Sequence, residues 1–245
     1  MDRREVIRFL VFRSIGNFLL LFAIFGVFAT FGPSLYYEVK FRTIQIRGIT
    51  FDVPNETSAF GELADQQIPG QQTQTSGPSF GDLLTGRKEI SLIPSDIEFS
   101  IVIPKIGATS KVIPNVDPSD KSKFLPALQE GVAHAQGSVF PGLPGNIYLF
   151  SHSADTFWNV GRYNAIFYLL KDLQAGDEVI IFFQGQRYDY VVTGSRIVDP
   201  KDVSFITNAQ TGTEQLILQT CWPPGTTWDR LLVFAKPLKS DTEFR

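Results

Sequence analysis

The chain has 245 residues and a formal net charge of −3, from 22 Lys and Arg against 25 Asp and Glu. That length holds one ordinary domain plus extras, and the mildly acidic balance, with no basic face, excludes a nucleic-acid binder. Two histidines and one cysteine are too few for most zinc cages, so neither a structural metal nor a cofactor is expected, and no acidic cluster marks a calcium site.

The first element is membranous. Arg3, Arg4, Arg8 and Arg13 precede an apolar stretch from Ile15 to about Tyr37 that carries no charge. About 20 such residues cross a hydrocarbon core as a helix, with Tyr36 and Tyr37 suited to an interfacial belt. Residues 1–14 are expected as a basic cytoplasmic N-terminus and 15–37 as a single transmembrane anchor, because the basic flank stays inside. A cleaved signal peptide is the competing reading. The stretch is long for one, and no clean small-x-small site follows it. On either reading, residues 40 onward lie outside the cytoplasm.

Residues 40–51 alternate weakly, and a polar stretch runs from about Pro54 to Gly86. Its centre, Asp65 to Pro78, has almost nothing to bury and suggests a flexible spacer. Residues 38–92 are expected as that extracytoplasmic spacer and 93–245 as the folded domain.

Short β-type runs then succeed one another between Gly, Pro and Asp. They cover 98–103, 109–113, 146–151, 178–183, 187–192, 215–219 and 231–235. Gln184-Gly185-Gln186 reads as a hairpin turn between two of them. Ile166, Leu169, Leu170 and Leu173 recur at helical spacing within 160–173. The expected fold is mainly β, a closed or nearly closed barrel of about eight strands with short helices.

Three reactive residues stand at strand ends, where a rigid scaffold presents function. His152 ends the 146–151 run, Cys221 ends the 215–219 run, and Arg230 opens the 231–235 run. A lone cysteine is either a small buried hydrophobe or a nucleophile. An imidazole can take a thiol proton and return it to a leaving amine. A guanidinium can hold a substrate and stabilise an oxyanion. Each also has a bland reading: His152 as a satisfied structural residue, Arg230 as a partner for Asp229.

The order His152, Thr220-Cys221, Arg230 resembles the sortases, cysteine transpeptidases of bacterial cell surfaces. Glu130 to Ser138 and Pro141 to Asn146 look like the stretch leading to that family's catalytic histidine. Phe157-Trp158, Leu170 to Leu173 and Gly176 to Val179 look like the stretch after it. Leu218-Gln219-Thr220-Cys221 with Arg230-Leu231 looks like its Thr-x-Thr-Cys and Arg-Leu signature. The likeness covers about residues 95–238. Ser151 stands where Gly is common and Leu218 where the first Thr is common, which bears on substrate fit more than on chemistry. His134, the other histidine, falls in the upstream block and is expected to be structural or on the substrate side.

The resemblance implies a sortase-like barrel and a membrane-anchored transpeptidase. Cys221 would attack a carbonyl in a C-terminal sorting signal of a surface protein, forming a thioester. His152 would serve as acid and base, and Arg230 would position the peptide and stabilise the oxyanion. Thr220 and the backbone N–H of Trp222 would assist. A peptidoglycan or pilin amine would release the acyl group. The nine-residue step from Cys221 to Arg230, the Pro after the cysteine's neighbour Trp222, and the absence of a second span near Arg245 imply a class D or E enzyme. The loop from about Asp199 to Thr213, with Pro200 and Phe205, is where the family reads its motif. Two alternatives stay open: a hydrolytic cysteine peptidase, and an inactive binding module.

Overall fold

The computed structural model describes residues 3–53, 89–153, 166–210, 212–224 and 226–238. Helix α1 runs from Arg3 to Arg47, and its segment Arg4–Phe28 is long and apolar enough to cross a membrane, with none of it buried against protein. The helix continues well past Tyr37 because its last turns have something to pack on. Ile44 is 3% exposed, and Phe41 packs on the main core. Glu38 pairs with Arg42 one turn on, at 2.9 Å. It also meets Lys171 at 3.0 Å, and Lys171 in turn reaches Asp172 at 2.8 Å. Gly48, at φ +62°, ends the helix in the left-handed conformation that costs glycine nothing.

Strand β1 (Thr50–Asp52) pairs in parallel with β2 (Glu89–Ser91). Val53 and Leu92 bury against Val102, Ile180 and Phe182, and the Arg187 guanidinium donates to the Val53 carbonyl at 3.0 Å. Residues 38–53 and 89–92, expected as spacer, are therefore helix and strand packed on the barrel. The polar centre of that stretch lies outside the described residues.

The barrel is formed by β3 (Phe99–Ile103), β4 (Ala108–Val116), β5 (Val132–Ala135), β6 (Asn146–Phe150), β7 (Glu178–Phe183), β8 (Gln186–Val198), β9 (Gln215–Trp222) and β10 (Asp229–Pro237). It closes in the order β10-β8-β7-β3-β4-β5-β6-β9, as expected. The β7–β8 hairpin turns at Gln184 and Gly185, both at positive φ (+50° and +73°), the geometry of a type I′ turn. Two pairs are parallel, β4–β5 and β6–β9. Helix α2 (Lys121–Glu130) makes the first crossover. Pro126 interrupts its pattern, which is why no helical period announces it. Gly131 ends it where a Cβ would lie 2.3 Å from the Lys111 carbonyl oxygen, so only glycine lets β5 close onto β4. Within the expected helix 160–173, Tyr168–Asp172 is a 3-10 turn, and residues 154–165 lie outside the described residues.

Alternate residues fill the barrel: Ile101, Ile103, Ile147, Leu149, Val179, Ile181, Leu216, Leu218, Leu231 and Val233 form one core. The opposite faces of β6, β9 and β10 carry Tyr148, Phe150, Ile217 and Leu232, covered in part by Leu128 of α2 and by Phe205 and Ile206. Phe205 and Ile206 belong to the short helix α3 (Ser204–Thr207).

His134 is fully buried on the inner side of β5, its ring stacked on Phe140 with centroids 4.5 Å apart. The Asn115 N–H donates to its Nδ1 at 3.3 Å, so the proton sits on Nε2, facing the Val139 carbonyl at 3.0 Å. It is the structural histidine. Burial holds its pKa below the ordinary value, against a smaller opposing pull from the Val139 carbonyl. The fold therefore needs the neutral ring, while the unfolded chain accepts a proton below about pH 6.5. Stability is thus fully present above that pH and declines as pH falls through it, by at most about 1.4 kcal/mol per pH unit. Melting curves at pH 7.5 and 5.5 should show that loss in the natural chain and a smaller one in His134→Phe. Equal losses would remove His134 as the cause.

Candidate active site

β6, β9 and β10 lie side by side, and their pleats decide which residues share a face. On β9, Leu216 and Leu218 face the core and Ile217 faces outward. Alternation then puts Gln219 and Cys221 outward with Ile217. On β10, Leu231 and Val233 face inward and Leu232 outward, which puts Arg230 on the same outer face. Cys221 and Arg230 are direct partners in the antiparallel register.

His152 follows β6, whose register with β9 ends at Phe150 and Gln219. The ladder continues one step further: the Ser151 N–H donates to the Gln219 carbonyl at 3.1 Å, and the Thr220 hydroxyl donates to the Ser151 carbonyl at 3.3 Å. His152 is the next residue along the chain, two beyond the last residue of β6. Cys221 and Arg230, nine positions apart in sequence, thus stand side by side on β9 and β10, and His152 follows the end of the neighbouring β6. All three are half-buried.

The electrostatics of the pair are asymmetric. Burial pushes the Cys221 thiol above its ordinary pKa, and the nearby Arg230 charge partly offsets this. The resting group is a protonated thiol that needs a base to become a nucleophile. Arg230 donates from Nη1 to the carbonyls of Thr227 (3.2 Å) and Asp229 (3.0 Å). Among the described residues it makes no ion pair with a carboxylate. These bonds tie the guanidinium to its own loop, and its charge acts on Cys221 and Tyr148.

The other expected site residues face elsewhere. Thr220 is buried, and its one proton goes to Ser151. The Trp222 indole packs against the barrel core, leaving its backbone as the part nearest the thiol. Two residues had no sequence signal. Tyr148 and Gln219 sit on the outer face, joined by a 2.6 Å hydrogen bond from the phenol to Oε1. Strand alternation counted back from His152 and Cys221 is the one pattern that would have found them. In the loop from Asp199 to Thr213, Phe205 packs against Phe234 of β10 with centroids 5.6 Å apart. An open cleft of about 380 Å³ beside it is lined by Gly194, Arg196, Phe205, Gln215 and Phe234. Among the described residues no group of His, Cys, Asp or Glu is arranged to hold a metal ion.

Among the described residues the Ser151 hydroxyl is buried without a hydrogen-bond partner. A buried, unsatisfied polar group costs about 1–3 kcal/mol. Ser151→Ala removes that group and almost no volume, so the variant should be more stable by about 1 kcal/mol, read as a rise in melting temperature. A lowered melting temperature would show that the hydroxyl is satisfied in solution.

Residues 101–238 match the Sortase family, described as a sortase domain. The chain is 30% identical to Sortase D of Bacillus subtilis (strain 168) over 173 residues, covering 70% of this chain and 78% of that protein. Among solved structures it is similar to Sortase C1 of GBS Pilus Island 1, at 22% identity and TM-score 0.49, over 60% of this chain and 66% of that one, just under two thirds of its length. It is also similar to sortase C from Clostridium perfringens with the C-terminal cell wall sorting motif, at 20% identity and TM-score 0.49, over 60% of this chain and 74% of that one.

Proposed function

The chain belongs to the sortase family of cysteine transpeptidases, and on that premise we propose that it is held in a membrane by α1 and joins surface proteins to an amine. The observation that carries this reading is the register pairing of Cys221 with Arg230, next to the strand whose end leads into His152. The kinship with Sortase D agrees with a class D or E enzyme.

His152 takes the thiol proton of Cys221, and the sulfur attacks the carbonyl carbon of a peptide bond in a C-terminal sorting signal. The tetrahedral oxyanion is met by Arg230 and the Trp222 N–H. The C–N bond breaks, His152 returns the proton to the departing amine, and an acyl thioester remains on Cys221. An amine from peptidoglycan or pilin then attacks the thioester and loses its proton to His152. The C–S bond breaks, the new amide leaves, and the thiol is restored. Thr220 serves by position: its bond to Ser151 ties the chain before His152 to the strand that carries the thiol. The basic residues Arg3 to Arg13 favour a cytoplasmic N-terminus, which puts the barrel outside the cell.

The test uses the full chain in detergent and synthetic peptides copied from C-terminal sorting signals of surface proteins in the same genome. Without an added amine the expected products are a thioester and a slow release of acid. With triglycine the product is the ligated peptide. Acid as the sole product in both cases would make the chain a peptidase. A peptide that binds and never reacts would make it an inactive module.

A further inference from the structure

We propose that Gln219 is a substrate-reading residue, donating its side-chain N–H groups to a carbonyl of the bound peptide, and that Tyr148 is the positioning residue that aims it. The inference rests on the transpeptidase reading and deepens it.

The direct neighbours of Gln219 across the outer face are apolar. Phe150 is its register partner on β6, Leu232 its partner on β10, and Ile217 precedes it on the same side. Among the described residues the amide's hydrogen-bond partner there is the Tyr148 phenol. The Tyr148 hydroxyl, on a residue only 3% exposed, lies 2.6 Å from Oε1. That length suits O–H···O and is short for N–H···O, so the oxygen is the bound end and the nitrogen is the free one. Burial pushes the Tyr148 phenol above its ordinary pKa, which keeps it a donor at every physiological pH. The Gln219 nitrogen donates to no group among the described residues, and the side chain is half-buried.

The result is an amide with one end locked and two N–H donors open, on the same side of the same strand as Cys221. Two residues along a strand span about 7 Å, the length of two peptide units. An extended peptide that places its reacting carbonyl at the Cys221 sulfur and lies along this face carries a backbone or side-chain oxygen past Gln219. Arg230 and Gln219 then hold the peptide at two points, one at the reacting bond and one removed from it.

The experiment measures binding apart from chemistry. A fluorescent sorting-signal peptide is titrated by anisotropy into the full chain in detergent carrying Cys221→Ala, with Gln219→Leu, Gln219→Glu or Tyr148→Phe added. Gln219→Leu should weaken binding about three- to tenfold, the loss of one hydrogen bond. Gln219→Glu should weaken it as well. Its carboxylate still accepts from Tyr148, so its melting temperature should stay near that of the parent. Tyr148→Phe should weaken binding less and add nothing to Gln219→Leu. In chains with Cys221 intact, iodoacetamide alkylation rates should be the same for the natural chain and for Gln219→Leu, because the thiol itself is untouched. Wild-type affinity in both Gln219 variants would overturn the proposal, as would affinity loss that follows melting temperature. A peptide that binds with the expected pattern yet gives no thioester on the Cys221 chain would instead defeat the transpeptidase reading. A peptide that fails to bind at all would defeat both.

Discussion

Cys221→Ala should form no thioester with any sorting-signal peptide. Intact-mass spectra of the natural chain should show an added acyl fragment, and those of the variant should show the bare mass. The expected fall in turnover is about 10⁶-fold, the scale seen when a covalent nucleophile is removed from a serine protease. The size follows from the chemistry. The covalent step divides amide exchange into two easier displacements, with His152 and Arg230 proposed to act on the sulfur. Water held at the same place is a far weaker nucleophile. The chain has one cysteine, so no second thiol can take over. Because the Cys221 side chain is half-buried and alanine keeps its Cβ, the fold should survive, and an unchanged melting temperature would confirm that the loss is chemical. A Cys221→Ala chain that still cleaves peptide would sink the assignment of the nucleophile.

Arg230→Ala should lower the acylation rate by about 10²–10³-fold, the usual effect of losing one oxyanion donor, and should also change the resting thiol. Burial raises the Cys221 pKa and Arg230 lowers it. Without the guanidinium the opposing pull is gone, the pKa rises further, and the thiolate fraction at any given pH falls. Iodoacetamide alkylation followed from pH 6 to 10 should therefore have its midpoint at higher pH in Arg230→Ala than in the natural chain, with a slower rate at pH 8. Arg230→Lys should restore part of the shift in midpoint, because a charge returns. It should restore little of the acylation rate, since a single ammonium cannot both donate to the Thr227 and Asp229 carbonyls and face the substrate. An alkylation midpoint that ignores all three side chains would remove the electrostatic link between Arg230 and Cys221.

The strands were legible because both faces of this barrel are built from local patterns. The runs at 98–103 and 178–183 are rich in β-branched and aromatic residues, that at 215–219 is apolar between two glutamines, and the Gln184-Gly185 turn announces its hairpin. β5 was not foreseen, because Val132 to Ala135 is short and contains a buried histidine whose partners, Asn115 and Val139, come from other segments. α2 was hidden by Pro126. The collar made by the end of α1 with β1 and β2 was hidden because its residues alternate only weakly and flank a polar stretch. Residues 38–53 look ordinary until Phe41, Ile44 and Val53 meet apolar surface on the barrel, and Glu38 meets Lys171 more than a hundred positions away.

The same division runs through the site. By itself the sequence determined the reactive inventory: one thiol, one histidine and one arginine at strand ends, in the order of a known family, behind an apolar N-terminal helix. Those are local properties, set by residue type and spacing. Only the tertiary structure decided which residues share a face. The parallel pairing of β6 with β9 and the antiparallel pairing of β9 with β10 bring together positions about seventy residues apart, and the two-residue pleat then selects every second side chain. That selection turned Thr220 and Trp222 inward and set Cys221 opposite Arg230. It also placed Tyr148 and Gln219, which no motif marks, on the same outer face as the thiol. Pairing register is a long-range property, fixed by the closure of the whole barrel.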